Sequence, residues 1–186
     1  MRVLVAVTGA SGFPLAVSLI QTLKQKGVEI HLVASKNSQT VREYESDISL
    51  DKLKEMCDHH YEENAVHTRI CSGGYPFDAM VVIPCSMKTL GLIAADIEDS
   101  AITRAVGVNL KMERKVILVP RDTPLTLIQL RNLVTAKEAG CSIVLPLVPY
   151  YNNPKTVQEC TDYTTGRVLE LIGIEHDKYK KWEVKK

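Results

Sequence analysis

Five short apolar runs, rich in valine and isoleucine, set the framework of this chain. They cover residues 3–7, 30–34, 80–84, 116–120 and 142–146. Their hydrophobic positions are mostly continuous rather than alternating, which is typical of strands buried on both faces of a parallel sheet. The pattern therefore predicts five buried strands.

Between the runs, apolar residues recur at helical spacing. This spacing predicts helices over residues 14–26 and 125–139, and Gly27 and Gly140 follow them where a helix-ending glycine belongs. Alternating strands and helices predict an α/β fold with a doubly wound, mostly parallel sheet of the Rossmann or flavodoxin-like kind.

The rest of the chain is less regular. Residues 47–75 are polar, with a short helical run near 50–56, and are expected to form an insertion over one sheet edge. A closing helix is expected over 156–172. We therefore predict one domain, residues 1–175, and a charged C-terminal tail, residues 176–186, that packs loosely with Trp182 as an anchor.

Composition narrows the function classes. The chain has 186 residues and a net charge of +1, so no broad electrostatic field favours nucleic acid or a membrane surface. Five cysteines without a CxxC pair, and no signal peptide, indicate free thiols in a reducing, cytoplasmic compartment. No run approaches the roughly 18 apolar residues of a membrane helix.

Candidate chemistry follows the strands, because ligands of parallel sheets bind beyond the carboxyl ends of the strands. Glycines, hydroxyls, an arginine and two tyrosines come together there, and they predict a cradle for a planar, phosphorylated ligand. The five segments are Thr8–Gly12, 35–37, 85–89, 121–124 and 147–154.

Common nucleotide fingerprints are missing. Gly9 and Gly12 lack the third glycine of GxGxxG, and Ser35 stands where an acidic residue would bind a ribose, so NAD is disfavoured. The Walker A pattern is also missing, which disfavours an ATPase.

Taken together, these segments resemble the UbiX-type flavin prenyltransferases, a group of FMN-binding flavoproteins. The strongest markers are Pro84-Cys85-Ser86-Met87-Lys88-Thr89 and Val119-Pro120-Arg121-Asp122-Thr123-Pro124, supported by the tyrosine loop at 149–154. The similarity covers nearly the whole chain apart from residues 47–75.

The resemblance implies an enzyme that transfers a dimethylallyl group from dimethylallyl monophosphate to N5 and C6 of reduced FMN. The prenylated FMN would serve a UbiD-type decarboxylase. It also implies a homo-oligomer, a dodecamer, with sites where subunits meet, and no metal.

Residue roles carried over by position fall into three groups. Flavin contacts are expected from Gly9, Ala10, Ser11, Ser35, Ser86, Met87, Lys88, Thr89, Arg104 and Arg121. The prenyl phosphate is expected to bind Lys111, Tyr151 and Arg167. Catalytic roles are expected for Ser11, Glu45, Lys111 and Asp122.

Three positions depart from the family pattern. Asp122 replaces a glutamate, and the tyrosine loop is one residue short. Some members carry a loop tryptophan that stacks near the prenyl group, and this chain has Val66 and His67 near that position. Tyr75 or Phe77 could supply the missing aromatic ring.

Two other functions, and two groups of reactive side chains, are alternatives to this interpretation. A related flavin-dependent cysteine decarboxylase would carry an early catalytic histidine, which residues 14–26 lack. An FMN-binding accessory subunit that does not prenylate is kept open by Asp122. Cys57, His59, His60 and His67 fit no common zinc spacing, and Cys85 is expected to be a buried small residue rather than a nucleophile.

Overall fold

The computed structural model describes residues 1–182 and contains a six-stranded sheet in which every strand is parallel to its neighbours. The spatial order is β3-β2-β1-β4-β5-β6. The strands are β1 (Arg2–Val7), β2 (Glu29–Ala34), β3 (His59–Glu62), β4 (Ala79–Cys85), β5 (Lys115–Pro120) and β6 (Ser142–Ile143).

Seven α-helices lie among the described residues. They are α1 (Phe13–Gln25), α2 (Lys36–Glu45), α3 (Leu50–Glu55), α4 (Met87–Ala94), α5 (Ala101–Lys111), α6 (Leu127–Glu138) and α7 (Val157–Ile172). The α/β fold with a doubly wound parallel sheet is thus confirmed. None of these helices is both long and apolar enough to span a membrane.

Two apolar layers cover the sheet. On one face, Val3 and Val5 pack with residues of α1 and α7; on the other, Leu4 and Ala6 pack with residues of α4 and α5. Because successive side chains of a strand point to opposite faces, a strand buried on both sides must be apolar throughout. This explains the continuous apolar runs in the sequence.

The region 47–75 differs from its expected form. It contributes α3 and also a sixth strand, β3, which pairs with β2 at the sheet edge through His31–His59 and Val33–Tyr61. Its residues alternate between half-buried and exposed, as in a strand with one solvated face. The prediction of a simple covering insertion is therefore wrong for this strand.

A partly buried polar network holds this edge. The Oε1 atom of Glu29 lies 2.9 Å from both Arg2 Nε and His31 Nε2, and His31 Nδ1 lies 2.8 Å from the Tyr61 hydroxyl. The hydrogen bond from Arg2 holds the pKa of Glu29 down at about 2. Ligating atoms of Glu29, His31 and His59 come within 4.8 Å of one another, but these bonds already use the carboxylate and both imidazole nitrogens of His31.

The described part of the tail packs more closely than expected. Residues 176–182, hereafter the strap, lie against α7, and the His176 side chain is only 2% exposed. The Trp182 ring lies 5.3 Å from the ring of Tyr151, although Trp182 is otherwise exposed. Residues 183–186 of the predicted tail lie outside the described residues.

Candidate active site

The carboxyl ends of four strands are tied together beneath the site. The Thr8 hydroxyl donates to the carbonyl of Pro84 at 2.8 Å and accepts the N–H of Ser86 at 2.8 Å. The N–H of Ser35 donates to the carbonyl of Val7, which joins the ends of β1 and β2. The N–H of Arg121 donates to the carbonyl of Cys85, which joins β4 and β5. The segments predicted to converge do converge.

The turn after β1 needs two of its glycines for different reasons. A Cβ atom at Gly9 would lie 2.6 Å from Cβ of Asn37, so only glycine lets the turn approach the first turn of α2. Gly12 has φ of +120°, a conformation that side chains strongly disfavour. Ala10 and Ser11 are thereby held at the mouth of the site.

The anion expected at the Gly9–Gly12 turn is one of the protein's own carboxylates. Glu45, the last residue of α2, accepts the N–H groups of Gly12 and Phe13 at 2.8 and 2.9 Å. Burial raises the pKa of Glu45, but hydrogen bonds from Ser11, Gly12 and Phe13 and the charge of Arg121 outweigh it, so the net pKa is lowered. The N–H groups of Gly12 and Phe13 are therefore already bonded within the protein.

Glu63 fills a second helix start in the same way. Its carboxylate accepts the N–H of Lys36 at 2.8 Å at the beginning of α2. This contact joins residues 27 positions apart, so no local sequence pattern points to it. The start of α4 instead carries hydroxyls, because Ser86 Oγ accepts the N–H of Thr89 and lies 2.9 Å from the Thr89 hydroxyl.

A cavity beside Ser11, the Ser11 cavity, has a volume of about 380 Å³. Its polar groups include Ser11, Glu45 and Arg121, and much of its remaining wall is apolar. The lining residues are Ser11, Gly12, Pro14, Leu15, Glu45, Arg121, Pro146, Leu147, Val148, Val157, Cys160, Thr161 and Thr164.

Two further cavities include other predicted site residues in their walls. The Ser35 cavity, about 480 Å³, lies at the starts of α2 and α5 and is lined by Ser35, Lys36 and Ser100, among others. The Arg167 cavity, about 640 Å³, is lined by Arg167, Tyr163 and Leu147, among others. Leu147 lines both the Ser11 and Arg167 cavities, so these two cavities are neighbours.

Most predicted flavin residues lie along this edge. Thr89 is buried at the start of α4, Met87 is half-buried, and Lys88 is 72% exposed with its Nζ 3.7 Å from Asp99 Oδ2. Arg104 is different, because it pairs with Glu98 on the outer side of α5 and does not line the Ser11 cavity.

The three residues predicted to bind the prenyl phosphate do not all lie together within one chain. Tyr151 and Arg167 lie near each other around Tyr163, and a hydrogen bond between Tyr151 and Tyr163 raises the pKa of Tyr151 to about 12. Helix α5 runs against the strands and ends at Lys111, just before β5 begins. Lys111 therefore lies at the amino edge of the sheet, away from the Ser11 cavity.

Asp122 is not among the residues that line the Ser11 cavity. Its carboxylate accepts the N–H of Thr123 at 2.9 Å and the side-chain amide of Gln129 at 3.1 Å, near the start of α6. Cys85 is fully buried, which raises its pKa and fits a packing role. Trp182 is a residue that sequence reasoning assigned only to the tail, yet its ring contacts Tyr151.

FMN fits the residues present. Hydroxyls at Ser35, Ser86 and Thr89 with the Arg121 guanidinium supply donors for ribityl and phosphate oxygens. The apolar wall of the Ser11 cavity suits an aromatic ring or a short hydrocarbon chain.

Comparison with known proteins agrees with this geometry. Residues 1–173 match the Flavoprotein family, and the chain belongs to that family. Within it the chain is one of the UbiX-type flavin prenyltransferases. It is 40% identical to the flavin prenyltransferase UbiX of Thermoplasma acidophilum over 98% of this chain and 100% of that protein.

Solved structures extend the comparison. The crystal structure of AnUbiX (PadA1) in complex with FMN and dimethylallyl pyrophosphate has a TM-score of 0.97 and 34% identity, covering 100% of this chain and 98% of that one. A dodecameric FMN-dependent UbiX-like decarboxylase from Escherichia coli O157:H7 has a TM-score of 0.96 and 39% identity, covering 99% and 100%.

Proposed function

We propose that this chain transfers a dimethylallyl group from dimethylallyl monophosphate to N5 and C6 of reduced FMN. The observation that carries this is that two neighbouring cavities share Leu147 in their walls: one is lined by Ser11 and Arg121, and the other by Arg167. A protein that only stored FMN would not need a second cationic site next to the first.

The flavin side of the site is assigned to the strand-end residues. Gly9, Ala10 and Ser11 would contact the flavin from β1, and Arg121 from β5. Ser35, Ser86, Met87, Lys88 and Thr89 would hold the ribityl chain and phosphate. Reduced FMN supplies the electron-rich ring atoms that take the allyl carbons.

The donor side is assigned to Tyr151 and Arg167. As the allylic C–O bond breaks, the phosphate leaves with the bonding electrons, and cationic and hydroxyl donors stabilise that charge. Binding the donor beside the ring site also orients the reacting carbons, which turns an encounter into a directed reaction. Trp182, against Tyr151, offers the aromatic face whose absence from the loop near Val66 was noted above.

Ring closure adds a proton to the prenyl double bond and removes one from C6, and Glu45 is the candidate group that exchanges this proton. Its carboxylate lines the Ser11 cavity, is hydrogen-bonded to Ser11, and is kept ionised by the amides of Gly12 and Phe13. The departing phosphate is an alternative acceptor. Asp122 is retained as a positioning residue for the arginine loop, in keeping with its bond to Gln129.

Lys111 requires a neighbouring subunit under this proposal. In a homo-oligomer, the amino edge of one chain can supply Lys111, and the outer side of α5 can supply Arg104, to a site on the next chain. Apolar residues of α6 support such an assembly, because Leu127, Ile128 and Val134 are 61%, 69% and 57% exposed in a single chain. We propose a dodecamer, as in the structure from Escherichia coli.

Two wider assignments complete the proposal. The product would pass to a UbiD-type decarboxylase, because prenylated FMN is a cofactor rather than an end product. The protein would work in the cytoplasm, which is supported by the free state of the cysteines at positions 57, 71, 85, 141 and 160.

A non-prenylating FMN-binding subunit is the rival function, and it is favoured by the position of Asp122, which is not among the residues that line the Ser11 cavity. Mass spectrometry of the flavin separates the two. The purified protein is incubated anaerobically with reduced FMN and dimethylallyl monophosphate, and the molecular mass of the extracted flavin is measured. A mass increase of one C5 unit supports the transferase, and an unchanged FMN mass would sink it in favour of the accessory subunit.

A further inference from the structure

The strap crosses α7 at Gly166, where the helix has no side chain. A Cβ atom there would lie 2.6 Å from Cε1 of Tyr179 and 2.7 Å from Cε1 of His176. Real Cβ atoms do not approach ring carbons so closely. Glycine at this position therefore lets Tyr179 sit directly on the helix, one residue away from Arg167.

Tyr179 closes a triangle of hydrogen bonds with two residues of α7. Arg167 Nη1 donates to Glu170 Oε2 at 2.6 Å and to the Tyr179 hydroxyl at 3.3 Å. The same hydroxyl donates to Glu170 Oε1 at 2.8 Å. The Tyr179 hydroxyl donates its hydrogen to Glu170 and accepts the hydrogen of Arg167 on its oxygen, so both hydrogen bonds can form at the same time.

Other groups of the strap also face Glu170. His176 Nε2 lies 3.7 Å and Lys181 Nζ 4.0 Å from Glu170 Oε1. One carboxylate thus sits among Arg167 and two basic residues of the strap. The guanidinium is held by a partner that neutralises part of its charge and fixes its direction.

The strap is fastened independently at another point. Lys178 Nζ lies 2.8 Å from Asp162 Oδ1 on α7 and 3.2 Å from Ser18 Oγ on α1. Beyond Tyr179, the ring of Trp182 reaches Tyr151. Both residues assigned to the donor phosphate, Arg167 and Tyr151, are therefore in contact with the strap.

From this arrangement we infer that Tyr179 and Glu170 are positioning residues for Arg167, so that the strap sets the affinity for the prenyl phosphate. The inference rests on the proposed function, because it takes Arg167 as the phosphate ligand. Arg167 is 52% exposed, and without its partners the arginine side chain would lose conformational entropy when it binds phosphate. Holding it beforehand removes much of that loss.

The first test separates donor binding from folding. Tyr179→Phe keeps the ring that packs 4.8 Å from Tyr163 and removes only the hydroxyl. We expect KM for dimethylallyl monophosphate to rise roughly tenfold, with kcat and FMN affinity almost unchanged, as for a lost hydrogen bond to a charged group. Glu170→Gln should act in the same direction, and Glu175→Gln, a strap-side acid that is not bonded to Arg167, should not.

A binding measurement distinguishes failure of this inference from failure of the proposed function. Trp182 is the single tryptophan of the chain, so its fluorescence in the FMN-loaded protein reports on ligands beside Tyr151. Inorganic phosphate should bind more weakly to Tyr179→Phe than to the unmodified protein. If the unmodified protein makes no prenylated flavin but this difference persists, the reaction is wrong and the positioning role stands.

The opposite outcomes overturn the inference. Wild-type KM and phosphate affinity in both Tyr179→Phe and Glu170→Gln would show that Arg167 needs neither partner, while turnover in those variants would leave the transferase intact. A joint fall of kcat, FMN affinity and thermal stability would show that the strap has a structural role only.

Discussion

The carboxylate of Glu45 lies 2.8 Å from the amide nitrogen of Gly12, across 33 residues of sequence. The contact places a negative charge at the positive end of α1, where helix amides lack internal partners. Because the same carboxylate is bonded to Ser11, the end of α2 and the first turn of α1 are linked through the proposed reaction centre.

Replacing Glu45 with glutamine is expected to destabilise the fold modestly and to slow the reaction. The loss of charge at the helix start should lower the free energy of unfolding by about 1 kcal/mol at pH 7. The net pKa of Glu45 is lowered in the folded state, so its contribution is present above the unfolded pKa of about 4.3. It is lost as the pH falls through the lower folded pKa, and urea unfolding at pH 7 and pH 3 measures this difference.

Glu43→Gln provides the matched control on the same helix. Glu43 is exposed and, within residues 1–182, its ion pair is with Arg42 at 3.7 Å, so its removal should change stability by less than about 0.5 kcal/mol. Equal effects of the two substitutions at pH 7 would show that Glu45 acts as an ordinary surface acid.

Gly9→Ala is expected to weaken FMN binding more than it weakens the fold. The added methyl would lie 2.6 Å from Cβ of Asn37, so the β1 turn and the first turn of α2 must move apart at the flavin edge. We expect FMN affinity to fall at least about tenfold, measured by flavin fluorescence, with a stability loss of roughly 1–3 kcal/mol from overpacking. Gly74→Ala, whose nearest contact would be an ordinary 3.8 Å, should leave both unchanged.

The main architecture was predictable because continuous apolar runs and intervening helical periods are local signals. Strand β3 was missed because His59–Glu62 is short, polar and half-exposed, and its pairing partner lies near His31. In the structure its burial alternates along the strand, but the sequence shows no matching alternation of apolar and polar residues. Two of its four residues are histidines, which do not favour strands strongly.

The chemistry of the site was harder to predict than its position. That Glu45 and Glu63 fill helix starts depends on contacts between residues 27 to 33 positions apart, which no local pattern encodes. The separation of Lys111 from Arg167 could have been foreseen, because a helix that precedes a parallel strand ends at the amino edge of the sheet. Contact of Trp182 with Tyr151 depends on the path of the strap and had no sequence signal.

Mixing two inactive variants tests whether sites form between subunits. Lys111→Ala and Arg167→Ala should each lower prenylation by about 100-fold, as expected for loss of a transition-state donor. If each site takes these residues from different chains, random mixed oligomers should restore about a quarter of the sites. The rate of prenylated FMN formation after joint refolding or co-expression measures this recovery. Failure of isolated mixed oligomers to recover activity would place both residues in one chain's site, contrary to the position of Lys111 at the amino edge.

Cys160 offers a chemical probe of the Ser11 cavity. It lines that cavity beside Thr161 and Thr164, whereas Cys57 lies elsewhere under α3, with burial raising its pKa to about 12. Iodoacetamide at pH 8 should therefore modify Cys160 faster than Cys57, because the thiolate is the reactive form. Dimethylallyl monophosphate added with FMN should protect Cys160 by at least about fivefold if its hydrocarbon end occupies this cavity, as the close packing of a bound ligand implies. Peptide mapping by mass spectrometry gives both rates, with Cys57 as the internal control. Unchanged labelling of Cys160 at saturating donor would show that the prenyl group does not bind in the Ser11 cavity. The Arg167 cavity would then be the site assigned to it.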